Sequence, residues 1–263
     1  MSVTTERHDG VATVTVDRRD RRNALDRESF RVLEAEFTAL AADADVRVVV
    51  VTGAGGDFCS GADLSAVDQD AHPLGSMEQI NRAAMALHRV PQPTIAKVDG
   101  VAVGAGLNLA LGCDLVVASD RARFSEIFSK RGLSVDFGGS WLLVQRVGLH
   151  VAKELCLLSD VLPATRAVEM GIVNRVVPAD ELDAAVAAWA DQLAAGPPTA
   201  MTLTKRLLDQ VASLSFEDAL DREAHAQTVN LMGSDTSEAF AAFRDKREPR
   251  FTGGWQGPSA AAG

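Results

Sequence analysis

The chain has 263 residues, which is enough for one large domain or for a domain with an appendage. Its formal net charge of −10 argues against non-specific nucleic-acid binding, because no basic excess is present to neutralise phosphates. No stretch approaches the ~20 apolar residues of a membrane span, and the polar N-terminus lacks the apolar core of a signal peptide. We therefore expect a cytoplasmic protein that binds neither nucleic acid nor membrane.

The cysteines predict a reducing compartment. Cys59, Cys113 and Cys156 are odd in number, widely spaced and set among apolar residues. That pattern is typical of free buried thiols, and not of a disulfide framework or a metal site. The five histidines show no metal-ligand spacing, so no metal is expected.

Strand and helix patterns alternate through the first two-thirds of the chain. Residues 11–16 alternate in polarity, which predicts a strand in a sheet. Val11, Thr13 and Thr15 would face one way, and Ala12, Val14 and Val16 the other. Asp26 is a candidate N-cap for the helix that follows. The apolar positions of that helix, at helical spacing, are Phe30, Leu33, Phe37 and Leu40.

Further elements continue this order. Strands are predicted over residues 46–51, 94–98, 115–118 and 172–177, and helices over residues 76–88, 105–111 and 164–170. The alternation predicts βα units in an α/β core over residues 1–195. After Pro178 only helical spacing recurs, which predicts a helical C-terminal region over residues 196–263. One apolar helical stripe, just before that region, consists of Val186, Trp189 and Leu193. Another, near the end of the region, includes Phe240 and Phe243.

Two glycine-rich loops follow apolar strands, at residues 52–64 and 99–109. Small residues let a ligand approach the backbone, and a helix N-terminus adds unpaired N–H groups. One N–H from each loop, aimed at a single point, would form an oxyanion hole. The alternative is that the glycines only serve tight turns. A Rossmann dinucleotide site is not supported, because Phe58 and Leu109 stand where G-x-G-x-x-G requires its last glycine.

Together the two loops carry a family resemblance. Residues 46–64 and 94–120, with Arg22-Asn-Ala-Leu25 before them, resemble the enoyl-CoA hydratase/isomerase (crotonase) superfamily. The likeness continues over residues 132–148 and 240–251, so it covers nearly the whole chain. It implies an α/β fold with a crotonase-like ββα spiral core and a helical C-terminal oligomerisation region. It also implies a homotrimer or a dimer of trimers.

The resemblance further implies an acyl-CoA thioester substrate, with no cofactor beyond the coenzyme A that is part of it. The thioester oxygen would lie between the N–H groups of Ala62 and Ala105, which would stabilise an enolate. A mobile loop over the acyl site is expected between Asp68 and Ser76. Arg22 and its arginine neighbours either meet the CoA phosphates or form a solvated turn. Substrate binding is also implied for Ala24, Asp63, Leu64, Ser65 and Phe128.

The chain departs from the hydratases of that family at their catalytic glutamates. Those enzymes hold a water between two glutamates, and the matching positions here are Asn108 and Phe128. Asn108 forms hydrogen bonds but is no base near pH 7. Its apolar neighbours in the helix predict that it is buried and needs a partner. Glu126 is close in sequence, but it is expected to be a solvated surface carboxylate.

Asp136 is the remaining candidate for moving a proton. By resemblance, its segment lines the acyl pocket, and an aspartate here resembles the one used by dienoyl-CoA and epoxyphenylacetyl-CoA isomerases. Burial beside apolar residues would raise the pKa of its carboxyl toward neutrality, as a proton shuttle requires. The alternative is a loop aspartate that caps the helix starting near Gly138.

These features predict an isomerase-type enzyme with Asp136 as the proton shuttle and Ala62, Ala105 and Asn108 beside it. One alternative is an enoyl-CoA hydratase, which adds water to a trans-2-enoyl-CoA. Another is a non-catalytic acyl-CoA-binding member of the fold. A serine hydrolase is not expected, because Ser140 lacks a G-x-S-x-G elbow.

Overall fold

Two β-sheets of unequal size form the frame of the fold. The computed structural model describes residues 2–66 and 72–254. In chain order the strands are β1 (Val3–His8), β2 (Val11–Val16), β3 (Val48–Gly53), β4 (Thr94–Val98), β5 (Val101–Val103), β6 (Leu115–Ser119), β7 (Arg123–Ser125), β8 (Leu162–Pro163) and β9 (Arg175–Val177). The larger sheet has the order β1–β2–β3–β4–β6–β9, and the smaller has the order β5–β7–β8. In the larger sheet only β1 and β2 are antiparallel.

Helices cover both faces of the larger sheet and make up the C-terminal region. They are α1 (Arg27–Ala41), α2 (Pro73–His88), α3 (Ala105–Leu111), α4 (Gly139–Leu158), α5 (Ala164–Glu169), α6 (Leu182–Ala194), α7 (Pro198–Gln210), α8 (Phe216–Met232) and α9 (Ser234–Asp245). Among the residues described, no helix is long and apolar enough to cross a membrane.

The central strands bury both of their faces, as their apolar sequence predicts. Val49 and Val51 of β3 belong to a core that includes side chains of α1 to α4. Val48 and Val50 point the other way, into a second core closed by α6. In β2 the alternation is also confirmed, because Ala12, Val14 and Val16 are buried. The predicted α/β core is therefore correct.

The predicted start of α1 is confirmed. Asp26 caps the helix, and its carboxylate accepts a hydrogen bond from the amide of Ser29 at 2.8 Å. The cap sets the phase of the helix, so that one apolar stripe faces the sheet. The buried positions of that stripe are the predicted ones, Phe30, Leu33, Phe37 and Leu40.

Several predicted boundaries were wrong. Strand β3 begins at Val48 and not at residue 46, because the amide of Val46 closes a turn onto Asp43. Strand β9 is confined to Arg175–Val177, since Ile172 packs in the turn after α5 with its amide bonded to the carbonyl of Ala167. Val46 and Ile172 are thus apolar in sequence but lie outside the strands.

The predicted mobile loop between Asp68 and Ser76 was wrong at its end. Its residues 68–71 lie outside the described residues. From Pro73 onward the chain is already helical, so α2 begins before the predicted residue 76. A proline in the first turn of a helix loses no intrahelical hydrogen bond, which allows this earlier start.

The C-terminal helices leave much apolar surface uncovered. The predicted α6 stripe is confirmed, with Val186 buried and Trp189 and Leu193 partly buried against the second core. By contrast, Phe240 is 64% exposed and Phe243 is 87% exposed on α9. The predicted domain boundary at residues 195 and 196 falls between α6 and α7.

Candidate active site

The two glycine-rich loops meet at one place. A Cβ atom added to Gly61 would lie 2.8 Å from the carbonyl oxygen of Val103 and 3.7 Å from the amide nitrogen of Ala105. Gly61 also has a φ of +99°, a conformation that side chains rarely adopt. A parallel bridge between Cys59 and Ala102 ties the loops together. Only glycine at residue 61 therefore allows the first loop to approach the start of α3.

The amides of Ala62 and Ala105 make no hydrogen bond to any residue that the structure describes. Around Ala62, the Leu25 amide donates to the carbonyl of Gly61 at 2.7 Å, and the Asp63 amide donates to that of Leu25 at 2.8 Å. This bridge fixes the backbone while the Ala62 amide stays unused. Ala105 is the first residue of α3, where an N–H has no intrahelical partner.

A network of charged groups lies beside Ala62. The guanidinium of Arg18 bonds to the carboxylate of Asp63 at 2.9 Å and also to the carbonyl of Ala24. The Ser65 hydroxyl donates to Asp63 at 2.6 Å. The Ser65 hydrogen bond, with Arg18 adding to it, lowers the pKa of Asp63. Leu64 is half exposed beside this network.

Arg22 is paired within the chain. Its Nε bonds to the carboxylate of Asp57 at 2.8 Å, and the side chain remains largely exposed. The residue has a positive φ of 51°, as does Asn23 next to it with 58°. Asn23 is fully buried and donates from its amide to the carbonyls of Ala54 and Asp57. Asn23 thus fixes the turn on which Arg22 and Ala24 are carried.

Asn108 is fully buried in α3, as expected. Its Nδ2 donates to the backbone carbonyl of Asp136 at 3.0 Å, whereas its Oδ1 has no partner among the described residues. A Cβ atom at Gly139 would lie 2.3 Å from both the nitrogen and the oxygen of this amide. Glycine at residue 139 therefore makes room for the contact that joins α3 to the start of α4.

Asp136 does not cap α4, so that alternative is wrong. The helix begins at Gly139 after Gly138, and among the described residues no side chain makes a capping hydrogen bond to it. The Oδ1 of Asp136 is buried and has no hydrogen-bond partner in the part of the chain that the structure describes, and burial raises the pKa of this carboxyl to about 6. Phe137 follows with a φ of +50° and packs its ring 6.2 Å from that of Phe30. This strained turn holds the Asp136 carboxyl away from the helix end.

The expectation of a solvated Glu126 was wrong. Glu126 is 1% exposed, and neither of its carboxylate oxygens has a hydrogen-bond partner among the described residues. Burial, and secondly the nearby Asp136, raise the pKa of Glu126 to about 8. The Asn108 amide acts in the opposite direction on this pKa, although the two side chains do not reach hydrogen-bond geometry. The structure therefore brings the buried side chains of Asn108 and Glu126 together with the partly buried carboxyl of Asp136.

Phe128 lies on the apolar side of this region. It is buried, and its ring is 3.5 Å from the position that a Cβ atom on Gly104 would occupy. Gly104 directly precedes Ala105, so the ring stands near the amide of that residue. Residue 128 is the position at which hydratases of the family that the sequence resembles carry a second glutamate, and here it presents an apolar ring.

The cysteines are free thiols, as predicted, although Cys156 is only partly buried. Burial raises the pKa of Cys59 and of Cys113 to about 12, and that of Cys156 to about 11. A thiol with so high a pKa is a poor nucleophile. Within residues 2–66 and 72–254, no group of three or more His, Cys, Asp and Glu side chains could hold a metal ion.

Known proteins resemble this chain over nearly its whole length. The family model for enoyl-CoA hydratase/isomerase matches residues 6–254. This chain belongs to that family. It is therefore an enzyme of the crotonase superfamily, and the α/β fold with its helical C-terminal region is a crotonase fold.

Individual members of the family differ in their named activities. The 1,2-epoxyphenylacetyl-CoA isomerase of Escherichia coli K12 is 36% identical over 252 residues, which cover 93% of this chain and 95% of that protein. The short-chain-enoyl-CoA hydratase of Clostridium acetobutylicum is 30% identical, covering 94% of this chain and 96% of that one. The structure of a putative enoyl-CoA hydratase from Streptomyces coelicolor A3(2) superposes with a TM-score of 0.92 at 35% identity, covering 96% and 94% of the two chains.

Proposed function

We propose that this enzyme isomerises an unsaturated or ring-bearing acyl-CoA by moving a proton between carbon atoms. The amides of Ala62 and Ala105 hold the thioester oxygen as it becomes an enolate. The ionised carboxyl of Asp136 removes a proton from one carbon and returns it to another. The double bond moves, no water is consumed, and Asp136 ends in its starting state. Coenzyme A arrives with the substrate, and no other cofactor is needed.

The observation that carries this proposal is the carboxyl of Asp136. It is held off the helix end, unpaired at Oδ1, with a pKa raised to about 6. A base with a pKa close to the working pH can both take and return a proton. Asn108 and Phe128 cannot replace the two glutamates that hold a hydratase's water, because neither side chain titrates near neutral pH. The similarity to an epoxyphenylacetyl-CoA isomerase supports the same choice.

Hydration is the second candidate, and one feature favours it. The buried carboxyl of Glu126 and the partly buried carboxyl of Asp136 act on each other, and two carboxyls are what a hydratase uses to hold water. Relatives such as the probable enoyl-CoA hydratase of Rhodobacter capsulatus, 34% identical, also carry that name. However, both oxygens of Glu126 are deeply buried, which leaves less room for a water between the two groups.

A substrate panel distinguishes the candidates. We expect crotonyl-CoA to be hydrated very slowly, while a 3-enoyl-CoA, a dienoyl-CoA or 1,2-epoxyphenylacetyl-CoA is isomerised. The products are separated by liquid chromatography and identified by mass spectrometry in H₂¹⁸O, because hydration adds one labelled oxygen, whereas an isomerised product keeps the mass of the substrate and changes its retention time. Rapid ¹⁸O incorporation into crotonyl-CoA would overturn the proposal in favour of hydration. Binding of every thioester without turnover would overturn both candidates.

A further inference from the structure

We propose that Glu126 and Asp136 form a carboxyl pair that holds a single proton around neutral pH, with the proton on Glu126. Glu126 is then a positioning residue that keeps Asp136 ionised and ready to act as the base. This inference rests on the proposed function, in which Asp136 moves the substrate proton. It adds a group that the mechanism above does not use.

The backbone holds Glu126 at the start of α3. Glu126 directly follows β7, and the amide of Gly104 donates to the carbonyl of Ser125 at 2.8 Å. On its other side, the hydroxyl of Ser159 donates to the carbonyl of Glu126. Because Gly104 precedes Ala105, these bonds fix Glu126 beside the loop that carries a proposed oxyanion donor.

Within residues 2–66 and 72–254, no cation acts on the carboxyl of Glu126. Lys130 follows in the chain, but its ammonium bonds to the carbonyl of Ser159 at 2.8 Å and to Asp160 at 3.2 Å. On α4, the thiol of Cys156 has a pKa raised to about 11 by burial and secondly by Glu126, so it stays neutral. The remaining charged neighbour acting on Glu126 is Asp136, which has the same sign. Isolated carboxylates are costly to bury, and two together cost more.

This arrangement leaves one proton shared between the carboxyls of Glu126 and Asp136. Burial and like charge raise the pKa of Glu126 to about 8, whereas that of Asp136 is raised only to about 6. Between these values the pair carries one negative charge, located on Asp136. Asn108 lies beside both groups, because its Nδ2 donates to the backbone carbonyl of Asp136 and its side chain acts on the pKa of Glu126.

The charge balance explains why this state suits catalysis. When Asp136 takes the substrate proton, the pair becomes neutral and the enolate carries the negative charge. The site therefore holds one negative charge before and after the transfer. If Glu126 were also ionised, a second charge would face the developing enolate in a poorly solvated site, which would disfavour the transfer. We expect activity to fall once Glu126 loses its proton.

Infrared difference spectroscopy tests the pair in the free enzyme. We expect a protonated-carboxyl C=O band at pH 7 that is absent from Glu126→Gln and that disappears with a midpoint near pH 8. In Asp136→Asn the band should remain but titrate at a lower pH, because the like charge has been removed. Glu154→Gln, which changes an exposed glutamate on α4, is the matched control and should leave the band unaltered.

Two results would contradict the proposal that Glu126 and Asp136 share one proton. The first is the lack of such a band at pH 7, and the second is a midpoint that Asp136→Asn does not move. If Glu126→Gln folds poorly, labelling glutamate carboxyls with ¹³C shows whether the band comes from a glutamate, and Glu126 is the buried one among the described residues. These readings need no turnover, so they are separate from the substrate panel, which can fail independently.

Kinetics then test the role of the pair on the panel thioester that is turned over fastest. The wild-type kcat/KM should rise as Asp136 ionises near pH 6 and fall as Glu126 ionises near pH 8. Glu126→Gln should keep the rising limb and lose the falling one, while Glu126→Asp, which still titrates, should retain a falling limb. An unchanged falling limb in Glu126→Gln would show that Glu126 does not govern the site.

Discussion

At the scale of single residues, the environment of a carboxyl decides its chemistry. Asp26 and Asp136 both stand next to the start of a helix. Asp26 caps α1, whereas Asp136 leaves α4 uncapped and carries an unpaired, buried oxygen. The difference lies in the strained turn at Phe137 and Gly138, both with positive φ. One residue type thus stabilises a helix in one place and is available for proton transfer in another.

The prediction for Asp136 follows from this contrast. Asp136→Asn keeps the size of the side chain and removes the group that titrates. We expect kcat for isomerisation to fall by about 10²–10⁴, the usual contribution of general acid–base assistance. The melting temperature should not fall, because no helix cap is lost.

Asp45→Asn, at an exposed position, is the control and should match the wild type in both measurements. Steady-state kinetics and thermal unfolding are sufficient for the comparison. A fully active Asp136→Asn enzyme would contradict the shuttle and direct attention to Glu126.

At the scale of elements, the contact between α3 and α4 controls the geometry of the site. Asn108 reaches the Asp136 carbonyl only because residue 139 has no Cβ. Gly139→Ala should displace the amide of Asn108 and leave buried polar groups unpaired. Overpacking of this kind costs about 1–3 kcal/mol in the free energy of unfolding, and kcat should fall as well.

Gly75→Ala is the matched control within α2. Nothing lies within 4 Å of the added methyl, and alanine in a helix is favoured over glycine by up to about 1 kcal/mol. Urea unfolding should therefore show an equal or higher stability for this variant, with unchanged kcat. Equal stability and activity of the two alanine variants would show that the contact is unimportant.

At the scale of the whole molecule, the uncovered apolar face of α9 predicts assembly. Phe240 and Phe243 are exposed to an extent that is unusual for large apolar side chains in a monomer. We expect light scattering to give the mass of a homotrimer or of a dimer of trimers. Phe243→Asp should shift the mass toward the monomer, because a charge would be buried in the interface, while Phe243→Leu should not. A monomeric wild type would contradict this expectation.

The cytoplasmic location of the protein also stays a prediction.

Local patterns determined much of this protein from sequence alone. The period-two alternation of β2, the buried run of β3 and the capped stripe of α1 each follow from the spacing of a few neighbours. The two glycine loops also stood out, because small residues mark close backbone approach. Strand β1 was missed because its residues are mostly polar. The sequence did contain a signal, because the dipeptide Asp9-Gly10 is typical of a tight hairpin turn. In the structure this turn joins β1 to β2, and both of its residues have positive φ.

The tertiary structure alone decided the fate of Glu126 and Asp136. Local sequence indicates that Glu126 is charged and therefore exposed, but its burial depends on α3 and α4, which come from distant parts of the chain. Whether Asp136 caps a helix depends on backbone angles at two following residues, which its own identity does not fix. Spacing determines which groups are present, whereas long-range packing sets their solvation and neighbours. Those two quantities control the pKa, and with it the chemistry of the site.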